Sequence, residues 1–114
     1  MTKDDSVYLR HVLDAIAKIE EYTKDKGSSD FHAHTLLQDG VIRQVEIIGE
    51  ATKRVSKKLR EKHPQVAWED ITGMRDKLAH DYLGVDIDQV WLTIQTDIPT
   101  LRGQVIRILK QIED

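Results

Sequence analysis

Eight apolar residues near the C-terminus, Ile87, Trp91, Ile94, Ile98, Leu101, Val105, Ile108 and Ile112, follow one another by alternating steps of four and three. That alternation keeps side chains on one face of an α-helix and does not fit the two-residue period of a strand. At a rise of ~1.5 Å per residue the stripe is about 38 Å long. A helix cannot cover its own apolar face, so the rest of the chain must supply the cover. Pro99 lies inside this stretch, where it removes a backbone donor and is expected to kink the helix. The stripe continues beyond it and still points one way.

The covering elements are also helical. From about Ser6 to Lys24, Leu9, Val12, Leu13, Ile16 and Ile19 form a stripe, with Ser6 or Asp5 as a cap. Residues 25–30 read as a break, with Gly27 suited to a helix C-terminus. A second helix is expected from about residue 30 or 32 to Arg60, carried by Leu37, Val41, Ile48, Ala51, Val55 and Leu59. Gly40 and Gly49 each cost up to about 1 kcal/mol inside a helix, so they mark places where another helix comes close. His63-Pro64 ends this element. Trp68-Glu69-Asp70 opens a third helix, with acids suited to its N-terminus and Ile71, Met74 and Leu78 on its buried side. Leu83-Gly84-Val85-Asp86 is the next break, after which Asp86 or Asp88 caps the last helix, expected over about 88–112. No strand pattern or repeat intervenes. The expected architecture is all-α: residues 1–114 as a single domain, an antiparallel bundle of four to five helices with the last one kinked.

Charge limits the function classes. The chain has 17 Lys and Arg against 20 Asp and Glu, a net charge of −3, whereas proteins that coat nucleic acid are normally basic. Any RNA contact must therefore be local, transient or shared between subunits. Aromatic residues at 5% argue against a stacking platform for single strands. The absence of cysteine excludes disulfides and thiolate metal sites and suits a reducing cytoplasm. No apolar run reaches the length of a membrane span, and residues 1–5 lack the apolar core of a signal peptide. The one basic cluster, Lys53, Arg54, Lys57, Lys58, Arg60 and Lys62, reads first as a solvated helix C-terminal face. Its alternative role is to guide a phosphate backbone.

Chemistry concentrates in residues 73–82. Arg75 is a permanent cation whose planar fork fits a phosphate. His80 moves a proton near neutral pH, and Tyr82 carries a phenolic hydroxyl. On an ideal helix Arg75 and Tyr82 fall within about 20° of each other, whereas His80 is about 140° from Arg75. One straight helix does not aim both at a single phosphate. Either the helix unwinds near residues 79–81, or a second subunit completes the site. Asp76, four before His80, is spaced to orient the imidazole.

Other constellations are weaker. His32 and His34 have no third metal ligand in sight. Glu46 and Glu50 lack the Glu-x-x-His partners of a di-metal bundle. There is no phosphate-cradling glycine loop and no serine elbow. A DNA-reading helix-turn-helix would need a basic recognition helix that is not there.

Together these features resemble HEPN-domain proteins of the HepT toxin type. The resemblance rests on Arg75-Asp76-Lys77-Leu78-Ala79-His80-Asp81-Tyr82, which matches an Arg-x4-His-x-Tyr signature, and it covers nearly the whole chain. Flanking agreement comes from residues 46–51, from Pro64 with Trp68, and from Val85-Asp86 through Trp91. The resemblance implies a metal-independent endoribonuclease working without a cofactor as a homodimer, with two motifs meeting across the interface. It implies Arg75 as phosphate clamp, His80 as general acid/base, Asp76 in support, and no metal. It also implies a partner, a minimal nucleotidyltransferase antitoxin of the MntA type, that silences the toxin by placing AMP on Tyr82. The rival expectation is a non-catalytic helical subunit that only binds a nucleotidyltransferase.

Overall fold

The protein was analysed as a computed structural model, which describes residues 3–74 and 86–113. Among the described residues there are six helices: α1 Lys3–Thr23, α2 Ser28–His32, α3 Thr35–Lys53, α4 Lys57–Lys62, α5 Trp68–Thr72 and α6 Ile87–Glu113. The all-α expectation holds, and no strand occurs among the described residues. The helix count is higher than four to five because the expected helix from residue 30 or 32 to Arg60 is three pieces.

Local chemistry causes that division. His34 has extended backbone, and its Nδ1 accepts the Leu37 N–H at 3.1 Å, so it starts α3 instead of continuing α2. Ser56 does the same for α4, its hydroxyl accepting the Leu59 N–H at 3.2 Å. At the end of α1 the left-handed residue is Asp25, with φ 60°, and not Gly27. A short polar side chain tolerates that conformation. Gly27 instead precedes α2, where its N–H donates to Asp30 Oδ2 at 2.8 Å.

The core is a continuous apolar seam. α1 contributes Leu9, Val12, Ile16 and Ile19, and α3 contributes Val41, Val45 and Ile48. α6 contributes Val90, Ile94, Ile98, Leu101, Val105 and Ile108. α1 packs on both α3 and α6, and α2 bridges α3 and α6 by inserting Phe31. The Phe31 and Trp91 rings lie 5.2 Å apart. α6 runs through Pro99 without a break, and Pro99 is on its solvent side. Ile87, Trp91 and Ile112, at the stripe's two ends, are half-buried.

The two central glycines of α3 differ. A Cβ on Gly40 would meet only the Tyr22 ring, at 3.4 Å. On Gly49 it would meet backbone, the Thr72 carbonyl at 3.4 Å and that of Ile71 at 3.5 Å. Gly49 is thus the point where α5 lies against α3, as its place in the sequence predicts. The expected capping of α1 by Asp5 is not what occurs. Asp5, only 3% exposed, sends its carboxylate to α4, where Oδ1 accepts the Ser56 N–H and Oδ2 the Ser56 hydroxyl, both at 2.7 Å.

Two substitutions test this packing by denaturant unfolding. Asp5→Ala leaves the half-buried Ser56 N–H without its carboxylate and removes two charge-assisted bonds, and should cost about 2–4 kcal/mol. Gly49→Leu should cost about 1–3 kcal/mol by driving α5 away from α3, whereas Gly40→Ala should change stability far less.

Candidate functional site

Arg75, Asp76, His80 and Tyr82 lie outside the described residues, as do Leu78 and Gly84. What the structure describes is the frame on either side of them. Before the motif, Trp68 is buried with its indole N–H donating to the His63 carbonyl at 2.9 Å. Ile71 and Met74 are buried in the core, and Arg75 follows Met74 directly. After the motif, Asp86 accepts the Gln89 N–H at 3.1 Å and so caps α6. Val90, one turn further, is fully buried. Core contacts therefore hold the chain on both sides of the motif.

Two clefts flank α5. One, of about 560 Å3, lies between α4 and α5 and includes Lys57, Arg60, Trp68 and Asp70 in its lining. Lys57, Lys58 and Lys62 are exposed on α4, with Lys53 and Arg54 exposed at the end of α3. The expected basic cluster thus spans two helices and not one C-terminus. Lys57 is 3.8 Å from Glu61 on the surface, a pair worth little in water. Arg60 keeps its Nε buried and, among the described residues, unbonded. The second cleft, about 400 Å3, lies between α5 and α6, sharing Ala67 and Asp70 with the first.

The two histidines near residue 33 have separate roles. His32 Nδ1 lies 2.8 Å from the Ser28 carbonyl, and its Nε2 lies 2.7 Å from Asp88 Oδ1. Both partners are acceptors, so the doubly protonated ring satisfies both contacts. The Ser28 carbonyl first, and then Asp88, hold the His32 pKa above its ordinary 6.5. This pair joins α2 to the first turn of α6. Asp86 and not Asp88 is therefore the cap, and no local pattern pairs positions 56 residues apart. Among the described residues no group of three His, Asp or Glu side chains could hold a metal ion. No helix there is long and apolar enough to cross a membrane.

Comparison with known proteins places the chain in a family. The family model described as "Ribonuclease HepT-like" matches residues 12–108. A Methanocaldococcus jannaschii protein, named as a gamma-glutamylcyclotransferase and candidate RNase, is 43% identical over 99% of this chain. The chain spans about half of that relative, 51% of its length. A Thermococcus cleftensis protein named "Probable ribonuclease HepT" is 39% identical, covering 96% of this chain and 100% of its own. A candidate RNase of Caldanaerobacter subterraneus subsp. tengcongensis is 43% identical over 91% of this chain and 93% of its own. No solved structure matches the chain significantly.

The His32–Asp88 contact predicts a pH dependence. A raised folded pKa means that the stabilisation is complete below about 6.5 and is lost as pH rises through the higher folded value. Denaturant midpoints should therefore fall over that window in the native chain, and Asp88→Asn should flatten the fall. Imidazole NMR titration of His32 should give a midpoint above 6.5.

Proposed function

Since the chain belongs to the HepT-like ribonuclease family, we propose that it is the ribonuclease toxin of a toxin–antitoxin pair, acting in the cytoplasm as a homodimeric, metal-independent endoribonuclease. The observation that carries this reading is Arg75-x4-His80-x-Tyr82 in a chain whose matched region, 12–108, encloses the motif.

Cleavage without a metal proceeds through the RNA's own 2′-hydroxyl. A base takes its proton, the 2′-oxygen bonds to the adjacent phosphorus, and the P–O5′ bond breaks as an acid protonates the departing oxygen. A cation must offset the charge that builds on the phosphoryl oxygens. His80 supplies the acid/base chemistry and Arg75 the cation, with Asp76 orienting the imidazole. One chain has a single motif histidine. Two copies meeting across a dimer cleft supply both a base and an acid, and they remove the angular problem of placing Arg75 and His80 at one phosphate.

One feature of the frame supports an RNA substrate. Lys53, Arg54, Lys57, Lys58 and Lys62 are exposed along the end of α3 and on α4 and give a local positive path on a chain of net charge −3. The adjoining cleft also carries Glu61, Glu69 and Asp70. Silencing follows from the same chemistry. A nucleotidyltransferase antitoxin transfers AMP from ATP to the Tyr82 oxygen: the phenol loses its proton, a Tyr82 O–P bond forms at the α-phosphorus, and the α–β phosphoanhydride bond breaks to release pyrophosphate. That adds an anion two residues along the chain from His80, where it competes for the Arg75 clamp.

Purified chain free of antitoxin should cut RNA, and excess chelator should leave the rate unchanged. His80→Ala should lower cleavage by about 100-fold or more with unchanged circular dichroism. A native chain that cuts no RNA would favour the non-catalytic partner role. Mass spectrometry after co-expression with the antitoxin should find AMP on Tyr82 and none on Tyr82→Phe.

A further inference from the structure

The cleft between α5 and α6 takes no part in the chemistry above, yet it begins at Met74, the residue before Arg75. Its floor is apolar, formed by Ile71, Met74 and Leu101. Its α6 wall is a polar ladder with one-turn spacing, Gln89, Thr93 and Asp97, and Asp70 stands on the facing side. Among the described residues no Lys, Arg or His lines it, so a phosphate there would face the Asp70 and Asp97 carboxylates.

Thr93 is the informative member. Threonines elsewhere on α6 give their hydroxyl proton to the carbonyl one turn back: Thr96 to Leu92 at 2.8 Å and Thr100 to Thr96 at 3.1 Å. Thr93 does not. It is 3% exposed, and its Oγ accepts from the Gln89 amide at 3.4 Å. Among the described residues the Gln89 amide is the hydroxyl's one side-chain partner, and the contact is long. A buried hydroxyl held by one long contact has hydrogen-bonding capacity left for a ligand, and here it lines a cavity. One turn away, Asp97 is exposed, touched only at 3.4 Å by the Thr96 hydroxyl.

We propose that this cleft is a base-reading pocket that takes a guanine of the RNA substrate beside the scissile phosphate. The Asp97 carboxylate accepts from guanine N1–H and N2–H, and the Thr93 hydroxyl donates to O6. The apolar floor packs against the ring face. A protein ammonium or guanidinium would satisfy the carboxylates, but it has no acceptor for Thr93. Guanine presents an acceptor and two donors in a row. Uracil has one donor between two acceptors, and those acceptors would oppose Asp97. The pocket's place in the reaction rests on the ribonuclease reading, whereas its ligand can be tested without catalysis.

The full chain is titrated with guanosine, inosine and uridine, which carry no phosphate, and backbone amides are followed by NMR. Guanosine should perturb residues 70–74, 93 and 97 and saturate at least about tenfold more tightly than uridine. Inosine, lacking the N2 amino group, should fall between them. Asp97→Asn should erase the guanosine preference, and Thr93→Val should weaken guanosine severalfold in a chain that still folds. Equal binding of guanosine and uridine, perturbation elsewhere, or a preference that survives Asp97→Asn would overturn the proposal. RNA substrates differing in the bases beside the cut separate the two readings. In an active chain, Asp97→Asn should narrow the guanine-to-uracil ratio of kcat/KM. A chain that cuts no RNA but selects guanosine at this cleft keeps the pocket and loses the nuclease. A chain that cuts RNA but is indifferent to guanosine keeps the nuclease and loses the pocket.

Discussion

The apolar seam shared by α1, α3 and α6 sets the position of every other part of the molecule. α1, α3 and α6 are long helices of 21, 19 and 27 residues, so each can bury a stripe several turns long. Close-packed interiors tolerate little change in side-chain volume, and a frame of this kind gives the short helices fixed surfaces to dock on. α5 illustrates the dependence. Five residues do not hold a helix by propensity. α5 persists because Gly49 lets its backbone approach α3 and because Trp68, Ile71 and Met74 enter the core.

Polar contacts then do what the seam cannot, which is to fix how the chain turns between helices. Asp5 reaches from α1 to hold the N-terminus of α4, and the His63 carbonyl takes the Trp68 indole. His32 joins α2 to the first turn of α6. Arg10 with Glu113, and Glu20 with Arg102 at 3.7 Å, pair α1 with α6 on the surface, where such contacts add register more than stability. The buried Trp68–His63 bond sits at the start of α5, and α5 precedes the Arg75 motif in the chain. Positional accuracy at a reacting phosphate needs such a support, because small misplacements are expensive in rate.

Charge is mixed on both sides of α5. The cleft on the α4 side contains Lys57 and Arg60 together with Glu61, Glu69 and Asp70, and among the described residues the cleft on the α6 side contains carboxylates, amides and hydroxyls but no cation. A chain with three more acids than bases can still attract a polyanion locally when its cations are gathered on one side. Asp70 belongs to both linings, so the two clefts share a carboxylate and differ in the cations that only the α4 side adds. Phosphate contacts position a nucleic acid and base contacts select its sequence.

The sequence by itself determined the helical class, the stripe of α6 and the close approach at Gly49, because these follow from local period and from the missing glycine Cβ. It also put Arg75, His80 and Tyr82 within eight residues of one another, and it left open how their side chains would converge. The tertiary structure decided what local rules leave open. It divided the long second helix at His34 and Ser56, whose side chains cap new helices once their neighbours are packed. It turned Asp5 away from its own helix toward one 51 residues distant, and it paired His32 with Asp88 across 56. It brought Asp70 of α5 and Thr93 and Asp97 of α6 to one cleft. Contacts between residues so far apart in the chain depend on which helix faces pack together, and periodicity along one helix shows which face is apolar without showing what will lie against it.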